Sequence, residues 1–211
     1  MSWLPMVGFG LAVLPICLTP GVSFTLVTQR VLDRGVPSGL AVTAGTAGGL
    51  VCHATLAGLG LSALVMRSSE AFTVVKFIGA AYLVLLGLRT LWKSRPGQQT
   101  APQPTPTRKL PWTGHGDLVQ GFLGNVLNPK AAAVYLTVAP QFLHAGAPLL
   151  PQMLELCLAH IVVAAGWLII WTTIVHLSRR TVRSPSFRRV MDRITGVVLV
   201  GLGLRTGLAT R

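Results

Sequence analysis

Acidic side chains are scarce in this sequence. Its 211 residues include five Asp or Glu against 18 Lys or Arg, and charged residues make up only 11% of the chain. A soluble domain carries about 25% charged residues. Because 51% of the residues are hydrophobic and the mean hydropathy is +0.63, the composition indicates a protein whose solvent is lipid.

Several motifs of soluble or catalytic proteins are missing. Cys17, Cys52 and Cys157 lie in separate apolar stretches without a C-x-x-C pair, so neither a thioredoxin-like redox motif nor a zinc site is indicated. The sequence has no H-E-x-x-H and no ATP-binding G-x-x-x-x-G-K-[ST] motif. We therefore predict no catalytic residues, no metal and no cofactor; a membrane-embedded enzyme is the weakest alternative. No basic region precedes the first apolar run, so a cleaved signal peptide is not expected.

The net charge of +13 could by itself suggest nucleic-acid binding. The basic residues, however, lie between the apolar segments and not on them, which is how membrane proteins carry positive charge on cytoplasmic loops. We therefore expect the lipid bilayer as the partner and no nucleic acid.

Six apolar segments approach the roughly 20 residues that a spanning helix needs. They cover about residues 3–32, 39–66, 72–92, 118–142, 150–177 and 194–208. Residues 93–116 contain five prolines and are typical of an extended linker. We predict an all-α polytopic membrane protein with six transmembrane helices, in which residues 1–92 and 117–211 are two three-helix repeats.

The basic residues also predict the orientation. The connections after the first, third and fifth helices hold thirteen Lys or Arg, and the opposite face holds four. By the positive-inside rule the linker is cytoplasmic and both termini are extracytoplasmic.

Two predicted helices are interrupted in the same way. The first contains Thr19-Pro20-Gly21 and the fourth contains Asn128-Pro129-Lys130. Thr and Asn are helix N-caps, and proline suits the first helical position. Each interruption therefore predicts the N-terminus of a half-helix inside the membrane, with a simple proline kink as the alternative.

The interruptions fall at matching positions of the two halves. The third and sixth segments also share the string Gly-Leu-Arg-Thr, at 87–90 and 203–206. Two halves of three spans each must be inverted relative to one another. Interrupted helices at matching positions of inverted repeats point to the binding site of a transporter. Two half-helix N-termini meeting near the midplane would attract a substrate carboxylate.

These residues resemble the lysine exporter and homoserine/threonine efflux (LysE/RhtB) superfamily. Asn125–Ala131 and the following Pro140–Phe142 are similar to its N-x-x-N-P-K-A and P-Q-F motifs. Thr19-Pro20-Gly21 resembles its S/T-P-G-P motif, although Val22 replaces the second proline. Further similar stretches are G-x-x-x-G-x-x-x-H at Gly45, Gly49 and His53, K-x-x-G-A-x-Y-L at 76–83, and R-I-x-G-x-x-L-x-G-x-G-L at 193–204.

The resemblance implies six spans, amino-acid export across a bacterial inner membrane and coupling to the proton gradient. Exporters of cationic amino acids in the superfamily carry an acid directly after the second glycine of helix two, where this chain has Leu50. We therefore expect export of neutral amino acids or derivatives such as homoserine or threonine. Export of a basic amino acid or a metal ion is the alternative, and a homo-oligomer is possible.

The candidate substrate-binding residues lie at the two interruptions and beside them. They are Thr19, Pro20, Gly21, Gly45, Gly49, Asn125, Asn128, Pro129 and Lys130. Lys130 is the strongest candidate, because a lysine in mid-span faces a cavity or a partner; carbonyls left free at a helix break are its alternative partners. Gly45 and Gly49 could instead serve close helix packing. His53 is the candidate for proton coupling; for it and for His160, a structural hydrogen bond within the bundle is the alternative.

Overall fold

The computed structural model describes residues 3–67, 116–144 and 146–178, together with single residues between 74 and 92 and between 186 and 208. The described residues form helices and no strand. The predicted linker lies outside the described residues. The predicted third and sixth spans lie outside the continuous segments, although their single described residues are helical.

The predicted first span consists of two helices, α1 (Leu4–Leu18) and α2 (Val22–Arg34), which are bent by 56° at the break between them. Proline has no N–H to continue the helical hydrogen bonds and disfavours helical geometry in the residue before it. Thr19 is accordingly extended, with φ −83° and ψ 138°. The predicted interruption of the first span is therefore confirmed.

The second and fifth predicted spans are long continuous helices, α3 (Val36–Arg67) and, after the short helices described next, α6 (Leu149–Leu177). Both are long and apolar enough to cross a membrane, and the bent pair α1–α2 passes the same test together. The described part of the chain thus contains up to three candidate spans.

The predicted fourth span is more irregular than its sequence indicated. It comprises α4 (Asp117–Val126), α5 (Pro129–Ala133), a π-helical turn at Val134–Val138 and a 3₁₀ turn at Ala139–Phe142. Pro129 and Pro140 lack the N–H that a continuous α-helix would require. The break at Pro129 was predicted, whereas the π and 3₁₀ turns were not.

Glycines allow α3 and α4 to approach closely. A Cβ placed on Gly45 would meet the carbonyl oxygen of Leu118, and one on Gly121 would meet the carbonyl oxygen of Val42. Small residues permit such backbone contact between membrane helices. This seam holds a helix of the first half against a helix of the second and forms one wall of the site described below.

Buried apolar side chains form two clusters along the bundle. One surrounds Phe9, Tyr135 and Met153, and the other surrounds Val27 and Trp171. Large apolar side chains on the outside remain exposed, for example on α1, α3 and α6. An outer surface of this kind matches a hydrocarbon environment.

Candidate functional site

The first helix break is arranged differently from the sequence prediction. Thr19 does not cap α2: its hydroxyl donates to the carbonyl oxygen of Ile16, 2.6 Å away in the last turn of α1. The N-cap of α2 is Gly21, which has no side chain that could accept a hydrogen bond. The prediction of Thr19 as a cap was wrong, because two residues separate it from the first helical residue, Val22.

The start of α2 is therefore open. The first N–H groups of a helix have no partner within it, and they carry the positive end of the helix dipole. This first turn consists of Gly21, Val22, Ser23 and Phe24, and all four line a partly open cavity. An uncapped helix start at a cavity provides N–H donors for an anionic group.

At the second break, the predicted helix cap is present. The side-chain oxygen Oδ1 of Asn128 accepts a hydrogen bond of 3.0 Å from the backbone N–H of Lys130, and Pro129 occupies the start of α5. Because Asn128 caps it and α5 has only five residues, this helix start is not a second open N-terminus. The expected pair of open helix ends is thus reduced to the one at α2.

Lys130 extends from the second break to the first. Its amine Nζ donates to the carbonyl oxygens of Ile16 at 2.7 Å and Thr19 at 3.3 Å, and to the Thr19 hydroxyl. Carbonyl groups at the end of α1 are free because the helix stops before Pro20. No carboxylate pairs with Lys130 within the described residues. The lysine is thus held by neutral acceptors, as the alternative interpretation expected.

The cavity between the two breaks has a volume of about 70 Å³. Its polar wall includes Thr19, Thr46, Asn125, Asn128, Lys130 and His160, and its apolar wall includes Leu50, Val134, Ala164 and Leu168. Such a volume admits a few water molecules or a small polar group. A mixed lining of this kind is typical of a small-molecule site.

The structure brings five of the predicted site residues together. Thr19, Gly21, Asn125, Asn128 and Lys130 line the cavity. Pro20 and Pro129 do not line it, although each is adjacent in sequence to residues that do.

Gly45 and Gly49 lie in the seam between α3 and α4 and not in the cavity wall. A Cβ on Gly49 would lie 2.7 Å from the Cβ of Asn125, so this glycine leaves room for the asparagine side chain. The positions of both glycines therefore fit the alternative interpretation, in which they allow close helix packing.

His53 also lies outside the cavity lining. Its Nε2 is 3.0 Å from the backbone carbonyl oxygen of Asn125, so this nitrogen is the donor. Its ring stacks on that of Tyr135 at a centroid distance of 6.3 Å. The histidine is therefore hydrogen-bonded within the bundle and contacts the backbone of a cavity residue.

Three further polar residues of the cavity, Ser23, Thr46 and His160, were not among the predicted ligands. Nothing in the sequence distinguished Thr46 from the other small residues of α3 as a candidate ligand. His160, considered as a lone histidine in a span, lies in the wall and packs edge-on against Phe9. Within the described residues, no group of three or more His, Cys, Asp or Glu converges as a metal site.

Broken helices around a partly polar cavity, in a bundle with an apolar exterior, are features of membrane transporters. A model of the LysE type translocator family matches residues 14–210, and the chain belongs to this family. It is a transporter and not an enzyme.

Relatives of the chain are membrane and efflux proteins. The uncharacterized membrane protein YrhP of Bacillus subtilis is 31% identical, over 94% of this chain and 98% of the relative. The homoserine/homoserine lactone efflux protein of Salmonella typhimurium is 27% identical, over 88% and 87%. The leucine efflux protein of an Enterobacter species is 28% identical, over 63% and 60%. No solved structure matches the chain.

Proposed function

We propose that this protein is a secondary exporter of neutral amino acids or their derivatives, of the homoserine or threonine kind, driven by proton antiport. Lys130 and the open start of α2 bind the substrate carboxylate, and the other predicted site residues shape or support the cavity. His53 is the proposed proton carrier.

One observation carries this proposal: a lysine amine that has no carboxylate partner among the described residues and an uncapped helix start line the same cavity. A buried cation surrounded by neutral acceptors attracts an anion strongly where water is scarce. Hydrogen bonds from a cation and from helix N–H groups to a carboxylate are among the stronger ones in proteins.

The rest of the cavity favours an uncharged side chain. Leu50, 2% exposed, lines the cavity; by the resemblance to the superfamily, it stands where exporters of cationic amino acids carry an acid. Homoserine and leucine, the solutes named for two relatives, also have uncharged side chains. A basic amino acid or a metal ion remains the alternative substrate, but no carboxylate of the described residues lines the cavity to balance its charge.

The proposal includes the predicted architecture. Residues 1–92 and 117–211 are two inverted three-helix repeats joined by the cytoplasmic linker 93–116, in a bacterial inner membrane. The two breaks at matching positions share one cavity, which supports the repeat. So does the contact of Gly87 with Gly196, because a Cβ on Gly87 would lie 2.8 Å from the carbonyl oxygen of Gly196. A homo-oligomer is compatible with this arrangement.

Replacement of Lys130 tests the carboxylate site. Lys130→Met removes the cation while keeping an unbranched side chain. We expect export of L-homoserine or L-leucine from loaded cells to fall about 10- to 100-fold, since hydrogen bonds to charged groups contribute about 1.5–3 kcal/mol. Export rates are compared at equal amounts of protein in the membrane.

Leu136→Met is the matched control. Leu136 lies in the same segment, is 36% exposed and does not line the cavity, so this variant should export at the wild-type rate. A Lys130→Met variant that inserts normally and exports as fast as the wild type would contradict the proposed site.

A further inference from the structure

We infer that Thr46, Asn125 and His160 form a second polar subsite of the cavity that binds the ammonium group of a zwitterionic α-amino acid. This inference rests on the proposed function, because it takes the carboxylate to be bound by Lys130 and the start of α2. It adds the group that distinguishes an amino acid from a simple carboxylic acid.

The three side chains share an unusual property. They are only 3%, 3% and 4% exposed, and Thr46 Oγ1, Asn125 Oδ1 and His160 Nδ1 have no hydrogen-bond partner within the described residues. Buried polar groups are nearly always paired, so each exception requires an explanation. Other described residues also have an unpartnered buried polar atom, but only these three of them line the cavity.

Thr46 differs from Thr43 on the same helix, although Thr172 of α6 also has no partner for its hydroxyl within the described residues. Thr43, one turn before it, donates its hydroxyl to the carbonyl oxygen of Gly39, four residues back, at 3.0 Å. The corresponding acceptor for Thr46 is Val42, whose carbonyl oxygen lies directly against Gly121 of α4. The hydroxyl of Thr46 therefore remains available to a solute in the cavity.

Asn125 is held in place from two sides. Its backbone carbonyl accepts the hydrogen bond from His53, and its side chain lies against the bare backbone of Gly49, where a Cβ would be 2.8 Å from Oδ1. Thr46 and Gly49 are three residues apart and hence on one face of α3. The hydroxyl and the amide thus belong to the same side of the cavity.

His160 approaches from α6. Its ring lies edge-on to Phe9 at 6.1 Å between centroids and 5.6 Å from the ring of Tyr135. These aromatic contacts fix the ring, while Nδ1 has no partner in the part of the chain that the structure describes. In the tautomer that carries its proton on Nε2, Nδ1 is an acceptor.

The chemistry of the subsite fits an ammonium group. A hydroxyl oxygen, an amide oxygen and an imidazole nitrogen can together accept the three N–H donors of an alkylammonium. All three are neutral, so the subsite does not require a second positive charge on the solute. The expected ligand is an α-amino acid with a small uncharged side chain against the apolar wall.

The test compares amino acids with the same molecules lacking the amine. Wild-type protein in proteoliposomes is assayed for export of L-leucine against 4-methylpentanoate, and of L-homoserine against 4-hydroxybutanoate. We expect the wild type to export each amino acid at least tenfold faster than its partner compound. Thr46→Val, which replaces the hydroxyl by a methyl group of the same shape, should reduce this preference at least threefold.

Thr172→Val is the matched control. Thr172 is 1% exposed and its hydroxyl also has no partner within the described residues, but it does not line the cavity. Both substitutions remove an unpartnered buried hydroxyl, so neither should lower the melting temperature. Only Thr46→Val should change the preference for the amine.

The possible failures are distinguishable. Equal export of amino acid and partner compound by the wild type, with both lost in Lys130→Met, would overturn the ammonium subsite and leave the carboxylate site intact. An unchanged amine preference in Thr46→Val would also overturn the subsite. Absence of wild-type export for both amino acids would overturn the proposed function together with the subsite.

Discussion

At the scale of single residues, the position of Lys130 follows from what a lysine requires in a membrane. A charged side chain near the bilayer centre costs about 2.5–3.5 kcal/mol on insertion scales. Three oxygen acceptors at the end of α1 offset this cost, and the negative end of that helix dipole favours a cation. Neutral acceptors can be exchanged for a substrate carboxylate without leaving another charge unpaired.

Asn125 connects His53 with the cavity. Its carbonyl oxygen accepts from His53 while its side chain reaches the cavity. A change of charge on His53 would therefore be felt at a cavity residue through one hydrogen bond. The proposed proton carrier is therefore one hydrogen bond away from a residue of the cavity lining.

His53→Gln tests that role. Glutamine keeps an N–H donor for the Asn125 carbonyl, but its amide cannot take up a proton as an imidazole can. We expect export driven by an imposed pH gradient to fall at least tenfold, while exchange of labelled for unlabelled amino acid without a gradient persists. His176→Gln, at an exposed position in the last turn of α6, is the control. Full gradient-driven export by His53→Gln would exclude the proton role.

At the scale of helices, the seam between α3 and α4 positions one wall of the cavity. Backbone meets backbone where Gly45 lies against Leu118 and Gly121 lies against Val42. Thr46 directly follows Gly45, and Asn125 lies one helical turn after Gly121. The spacing of the two helices therefore also sets the position of the polar groups in the wall.

Gly45→Ala is predicted to disturb this seam. A Cβ there would overlap the Leu118 carbonyl, and overpacking costs about 1–3 kcal/mol. Thermal unfolding of the purified protein in detergent should show a lower melting temperature. Gly166→Ala is the control, because a Cβ at Gly166 meets no atom of the described residues within 4 Å and alanine favours a helix by up to about 1 kcal/mol over glycine. Equal melting temperatures for both variants would show that the seam tolerates a side chain.

At the scale of the whole molecule, the two halves of the chain depend on each other. The cavity takes its walls from α1, α2 and α3 of the first half and from α4, α5 and α6 of the second. Away from the cavity, Asp117 at the start of α4 pairs with Arg30 at 3.3 Å and with Arg34 at 3.4 Å near the end of α2. Neither half alone would enclose the site.

The orientation of the halves is tested with reporters. The excess of basic residues predicts that a reporter fused after Arg211 is extracytoplasmic, and that one inserted in the linker 93–116 is cytoplasmic. Alkaline phosphatase, active only outside the cytoplasm, should therefore be active at the first position and inactive at the second. The same activity at both positions would contradict an odd number of spans in the second half.

Much of the local architecture could be predicted from the sequence. The breaks at Pro20 and Pro129 and the cap at Asn128 depend on neighbouring residues only, because a missing N–H and a side-chain acceptor act within one turn. Composition and apolar length likewise indicated a membrane protein before any packing was known.

The tertiary structure alone decided which residues meet. Thr19 is a local exception: it was expected to cap α2 but bonds to Ile16 three residues back, because Pro20 and Gly21 separate it from the helix start. Thr46 and His160 line the cavity because of the way α3 and α6 are turned towards it. The sequence could not predict this orientation, because both helices are apolar on nearly all sides and no pattern marks the face that meets the cavity. The pocket arises from contacts between segments more than a hundred residues apart, such as Lys130 with Ile16, and only the packing of the helices brings these together.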